Sequence, residues 1–464
     1  MRSKNSLFSL TYLSTIANIE LEGGETMVEQ MARLPLFPPG SEVSRQGHLV
    51  IGGCDTVELA AEFGTPLYLF DELNIRHQCA GFKTEFRQRY ADSTVLYACK
   101  AFINKALLLL IMEEGLGLDV VSGGEIGIAR SVGFPMDKVS FAGNNKSAEE
   151  LILAFESGVG RITVDNFHEL KMLGKIAKER RAKVNILLRL TPGVDPHTHR
   201  YTITGNVDSK FGIPLVLGEE AVATVMAMPA LNCLGLHFHI GSQIAEVEPY
   251  QQAIEFMLNF AAEMKKKHGF ELKELSVGGG YAVQYTLDCP VPPISVYAEA
   301  MTSSIVSRCQ KSKLALPRLI IEPGRFIVAQ AGVALYTVGA VKDIPEVRTY
   351  VAIDGGMADN IRPALYQAKL EAVVANRMKD KIAGQFTIAG KFCEAGDILI
   401  RDIGLPLPVA GDILAVAGCG AYSIPESMNY NASFKPAIVL VNNGRARLIR
   451  RRETLEDLMQ CDVV

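Results

Sequence analysis

An α/β fold is predicted: a closed parallel (β/α)8 barrel of the TIM type, followed by a C-terminal all-β sandwich or barrel domain. Three observations predict it. From about residue 94, short apolar or β-branched runs alternate with amphipathic helical stretches eight times over. The runs read as buried on both faces, as strands of a parallel sheet covered by helices should. After about residue 330 the texture changes to short β-type runs separated by Gly, Pro and Asp turns. An open doubly wound sheet is the competing reading, but no GxGxxG opens the first unit.

The elements follow in chain order. Residues 1–27 read as a disordered extension, or as the result of a start assigned upstream of Met27. They are too polar for a signal-peptide core and show no small-x-small cleavage site. Residues 28–69 supply a strand or two (HLVIGG, LYLF) and a helix, and are expected to pack with the C-terminal β domain. The barrel is assigned to 70–330. Its strand runs are TVLYACK (94–100), GLDVVS (117–122), VSFAGN (139–144), RITVDN (161–166), VNILLRL (184–190), LGLHFHI (234–240), ELSVGGG (274–280) and LIIEPG (319–324). Ser122–Glu125, Ser147–Glu150 and Asn166–Glu169 have capping-box spacing, in which side chains satisfy the first free N–H groups of a helix. The β domain is assigned to 331–464, with runs such as GVALYTVGAV, TYVAID, QFTIAG, DILIRD, DILAVAG and AIVLV. Near its end NNG reads as a hairpin turn, and RARLIRRRE as a last strand with its arginines on one face.

Composition removes several classes of function. A net charge of −4 and a pI near 6.1 provide no global field for nucleic acid or an anionic membrane. No apolar run approaches the length of a membrane span. The nine cysteines are scattered and form no CxxC, which argues against a zinc site or a disulfide framework and fits a reducing cytoplasm.

In such barrels chemistry sits at the C-terminal ends of the strands. The first run ends in Lys100, the third in Gly143-Asn144 and the fourth in Asp165-Asn166, and the fifth carries Arg189. The sixth offers His237 and His239, then Gly241-Ser242; the seventh ends in Gly278-Gly279-Gly280; the eighth ends in Glu322, with Arg325 just beyond. Each has an ordinary structural reading. A strand-end lysine can simply reach solvent, a triple glycine can be a tight turn, core histidines are usually structural, and Glu322 can pair with Arg325. Together they are more specific. Successive glycine N–H groups make an anion nest. With a nucleophilic amine, an aromatic ring and a carboxylate, they meet the needs of pyridoxal 5′-phosphate (PLP). On this reading Lys100 is buried, and its lost hydration makes it a nucleophile toward a carbonyl.

The stretches YACKA, GLDVVSGGE, GNNKS, TGNVDSKFGI, GLHFHIGSQ, VGGGY, EPGR, DGGMADNIRPALY, CEAGD and GAY resemble the alanine-racemase-fold PLP-dependent decarboxylases, over residues 60 to 440 or so. The resemblance implies that Lys100 carries PLP, that His239 stacks on its ring with Ser242 nearby, and that Gly278, Gly279 and Gly280 hold its phosphate with help from Tyr422. It implies that Glu322 pairs with the pyridine nitrogen. Arg325, Arg362 and Tyr366, with Tyr422, would bind the distal carboxylate of the substrate, and Glu394 its distal ammonium. Cys393 would enter the site from the partner subunit of a homodimer and, with Lys100, serve catalysis. The implied reaction is decarboxylation of meso-2,6-diaminopimelate to L-lysine. A sister decarboxylase acting on carboxynorspermidine or another amino dicarboxylate is the alternative, and a PLP carrier without turnover is a further one. The residues of DNIRPALY support a distal anion, because an arginine and a tyrosine four apart suit a carboxylate. Ser276 departs from the family pattern, which often has an aspartate at that position.

Overall fold

Eight strands pair in chain order, each parallel to the next, and the last returns to the first. They are β1 (Ser93–Ala98), β2 (Gly117–Val120), β3 (Val139–Phe141), β4 (Arg161–Val164), β5 (Val184–Thr191), β6 (Leu231–His237), β7 (Glu274–Ser276) and β8 (Arg318–Ile321). This is the predicted closed barrel. The structure, a computed structural model, describes residues 29–195, 204–205 and 208–464, so the reading of residues 1–27 lies outside the described residues.

Seven of the eight strands end two to four residues before their apolar runs do. The backbone leaves the ladder early, and the trailing residues turn into loops at the C-terminal mouth. Inside the barrel Leu96, Leu187 and Ile320 pack on one another, so the interior is a filled core and not a pore. The crossover helices cover the outside. Of the three predicted capping boxes, only Ser147–Glu150 is reciprocal. Ser122 and Asn166 accept the N–H groups of Glu125 and Glu169 as expected, but the two glutamates reach one residue further back, to the N–H groups of Val121 and Asp165.

Beyond the barrel lie the strands Gly332–Ile344, Arg348–Ile353, Gly384–Ala389, Ile398–Leu405, Ile413–Val416, Ala437–Asn442 and Arg445–Arg450, together with a short strand, Ala372–Val374, that the sequence reading did not include. The strand Leu67–Asp71 lies antiparallel to Gly332–Ile344 and parallel to Ala437–Asn442. Leu36, Leu49 and Ile51 share an apolar cluster with Val333, Leu335 and Val439. Buried Gln30 bonds the backbone of Val374, Arg377 and Asp380. The final hairpin turns through Asn443 and Gly444, both at positive φ (48° and 74°), as a tight two-residue turn demands. No helix among the described residues is long and apolar enough to cross a membrane.

Candidate active site

A cavity of about 290 Å³ opens at the C-terminal mouth of the barrel. Lys100, His239, Ser242, Gly279, Gly280, Glu322, Arg325 and Tyr422 all line it. Lys100 differs from the expectation in one respect: it is exposed, not buried. β1 ends at Ala98, and Cys99–Ala101 form a 3-10 turn that swings the side chain off the strand and into the open cavity. The N–H of Tyr422 donates to the carbonyl of Ala101 at 2.9 Å, which ties this turn to the β domain.

The triple glycine is a steric necessity. Gly278 and Gly280 have φ of +70° and +106°, a region that L residues with a Cβ rarely adopt. A Cβ on Gly279 would stand 2.2 Å from the carbonyl oxygen of Glu322, and one on Gly280 would stand 2.4 Å from that of Gly241. Gly278 shapes the turn without lining the cavity, and its N–H points to Ser276 Oγ at 3.4 Å. The N–H of Gly279 donates to Nδ1 of His239 at 3.1 Å. Burial, reinforced by Lys100, Arg189 and His237, holds His239 well below the usual imidazole range. The ring is therefore neutral, and it lines the cavity.

Glu322 is buried and held on both oxygens. Ser276 Oγ donates to one at 2.6 Å, and Nε2 of His237 lies 3.1 Å from the other. Burial pushes its carboxyl up, but His237, Ser276 and Lys100 outweigh burial and bring it below the usual range. Asp119, at the end of β2 in the same cavity, moves the opposite way: burial and the charge of Glu322 raise it well above the usual carboxylate range. The two acids of this cavity are thus pushed in opposite directions, the separation expected of two carboxyls sharing a dry site. Glu322 pairs with His237 and not with Arg325, so the ion-pair reading of EPGR fails. Ser276, the departure from the family pattern, holds the glutamate in place.

Arg325 instead donates to Ser242 Oγ (3.0 and 3.3 Å) and to the hydroxyl of Tyr285 (2.9 Å), and it lies over the ring of Tyr422 at 4.5 Å. It also lines a second cavity of about 360 Å³, which is shared with Arg362, Tyr366 and Tyr285. Arg362 is buried and donates to the carbonyl of Gly418 at 3.3 Å. Tyr366 donates to Glu426 at 3.1 Å. Cys393 and Glu394 are both exposed on the loop after Gly384–Ala389, and the single chain brings neither to a cavity wall of this site. The N–H of Cys393 donates to Asn431 and its carbonyl accepts from Tyr430.

The sequence reading gave no role to Asp119, Tyr285 or the ion pair of Lys146 with Glu169, whose side chains meet at 2.7 Å with almost no exposure. A signal for Asp119 was present: a charged residue inside the apolar run GLDVV has to be paired or protonated. Tyr285 had none, because its partners come from distant parts of the chain.

These residues fit pyridoxal phosphate. The glycine turn forms a concave surface that any Cβ would fill, the neutral imidazole lines the cavity, the ionised Glu322 is fixed for a ring nitrogen, and the amine of Lys100 is free to bond an aldehyde. The family profile described as "Pyridoxal-dependent decarboxylase, pyridoxal binding domain" matches residues 73–329. Diaminopimelate decarboxylase of Halalkalibacterium halodurans is 45% identical over 429 residues, covering 92% of this chain and 98% of that one. The enzyme of the same name from Bacillus subtilis is 45% identical, with 91% and 97% covered. The crystal structure of diaminopimelate decarboxylase from M. jannaschii in complex with L-lysine superposes with a TM-score of 0.86 at 35% identity, covering 92% and 98%. The chain belongs to the diaminopimelate decarboxylase family of pyridoxal-dependent decarboxylases.

Proposed function

We propose that this protein decarboxylates meso-2,6-diaminopimelate with PLP as cofactor, releasing carbon dioxide and leaving L-lysine, the last step of lysine biosynthesis. The observation that carries the reading is that Arg325 lines both cavities, so the Lys100 chamber adjoins a compartment lined by Arg362 and Tyr366. A substrate reacting at one end can therefore present a carboxylate at the other.

When bound, PLP supplies an electron sink for the pair left behind as the scissile carboxylate departs. Lys100 would hold the cofactor through its aldehyde carbon. The glycine turn and Tyr422 would hold the phosphate, and His239 would shield the ring from water. Glu322 would pair with the ring nitrogen and favour its protonated form. Arg325, Arg362 and Tyr366 grip the distal carboxylate, and Glu394 of the partner subunit takes the distal ammonium. Cys393 of the partner subunit, or the amine of Lys100, would supply the proton at Cα.

Purified enzyme loaded with PLP is expected to release carbon dioxide from diaminopimelate and not from ornithine, whose far end is a bare cation. Arg362→Ala is expected to raise KM for diaminopimelate roughly 10- to 150-fold, the equivalent of a charge-assisted pair of about 1.5–3 kcal/mol. An unchanged KM would remove Arg362 from the clamp.

The exposure of Cys393 and Glu394 supports a site completed by a second copy of the chain. Mixing Cys393→Ala protomers with Lys100→Ala protomers then gives dimers with one wholly native site. Random exchange should recover about a quarter of wild-type activity. No recovery, with exchange verified by mass, counts against the shared site.

A further inference from the structure

Tyr285 has no part in the assignments above, yet it joins the two arginines of the distal compartment. It lies on the loop that leaves the glycine turn after β7. Its hydroxyl accepts from Nη1 of Arg325 at 2.9 Å, and its ring centre is 4.2 Å from the guanidinium carbon of Arg362 and 6.0 Å from that of Arg325. Arg325 follows β8 of the barrel, whereas Arg362 opens the short helix Arg362–Tyr366 beyond it. One ring therefore contacts two cations delivered by separate parts of the chain. Like charges held this close repel one another, and the negative face and hydroxyl oxygen of a tyrosine offset that repulsion while fixing both groups in orientation.

The surroundings are shaped for this ring. Gly418 has φ of +68°, and a Cβ there would come within 2.9 Å of Cδ1 of Tyr285. The carbonyl of the same glycine accepts from Arg362. Gly418 thus leaves room for the ring and anchors the guanidinium stacked upon it. On its other side Arg325 is held by Ser242 and Tyr422.

We infer that Tyr285 is a positioning residue that sets the spacing and tilt of Arg325 and Arg362, and so selects substrates whose far end is a carboxylate over those that end in a cation alone. The inference rests on the proposed function and names what governs specificity at that site. Tyr285→Phe keeps the ring and loses only the bond to Arg325; Tyr285→Leu loses the aromatic face as well. With PLP-loaded enzyme, KM for diaminopimelate is expected to rise about 5-fold in the phenylalanine variant and about 30-fold or more in the leucine variant, with kcat within about threefold of wild type in both. Calorimetric binding of L-lysine, which retains the distal carboxylate, should weaken in the same order. Binding of 1,5-diaminopentane, which has no carboxylate, should not change.

A ring that merely supports the fold would weaken both ligands alike, and that result overturns the inference. An unchanged KM in both variants overturns it as well. Wild-type enzyme that releases no carbon dioxide from diaminopimelate overturns the proposed function and this inference with it. A wild type that does so while its variants behave like it overturns the role of Tyr285 alone.

Discussion

Lys100→Ala is expected to abolish turnover, lowering kcat by at least ~10⁴-fold, the scale on which enzymes respond to loss of a covalent nucleophile. Alanine has no amine, so the protein would lose its covalent hold on the cofactor and the group that would speed exchange with substrate and move its proton. Little stability should be lost. The side chain is exposed in an open cavity and is not packed in the core, so the melting transition should move by no more than a surface substitution allows, about 0.5 kcal/mol. Borohydride treatment followed by intact-mass measurement gives an independent readout: PLP should remain attached to the wild type and not to the variant. A variant that keeps a tenth of wild-type activity would sink the assignment of Lys100.

Glu322→Ala should harm both activity and stability, because the group it removes serves both. The carboxylate is buried, receives Ser276 at 2.6 Å and faces His237 at 3.1 Å. Nδ1 of His237 is already buried without a partner among the described residues. Removing the acid leaves its ring without the remaining one, and breaking a buried pair in this way costs about 3–5 kcal/mol. Loss of a fixed charge at the reacting centre should also lower kcat by roughly 10²–10³-fold. Glu322→Gln separates the two effects, since it keeps the shape and one accepting oxygen but not the charge, and its NH2 can donate to the second partner if that partner's proton shifts. It should melt closer to wild type and remain nearly as slow as the alanine variant.

The pH dependence follows from the direction of the shift. The folded-state carboxyl of Glu322 titrates below its ordinary value, so its contribution to stability is fully present above the unfolded carboxylate range and is lost as pH falls through the lowered folded value. The alanine variant should lack that part of the acid limb in a series of melts. A variant as active as wild type, or one with an unaltered acid limb, would argue that Glu322 is only a packing residue.

Much of this architecture was legible before folding was considered. Apolar runs of the right length alternating with helical periods predicted a parallel barrel, and short β-type runs separated by Gly, Pro and Asp turns predicted the β domain. The set of residues at the strand ends was legible for the same reason, because a strand delivers its last side chains to a known rim. Strand ends were less so. Where the ladder stops depends on what the next residues bond to in space, so Lys100 proved to sit on a turn after β1 and to be exposed in the cavity.

By itself, the sequence determined the barrel, the rim residues Lys100, His239 and Glu322, and the glycine turn, because local periodicity and backbone freedom are properties of neighbouring residues. Tertiary structure alone decided that Glu322 faces His237 and not Arg325, that burial and the charge of Glu322 raise the carboxyl of Asp119 while that of Glu322 is lowered, and that Tyr285 contacts two arginines. Each of these joins groups 37 to 203 residues apart in the chain. Charge and π-face interactions act through space, and their sign and strength depend on separations and desolvation that exist only once the chain is closed.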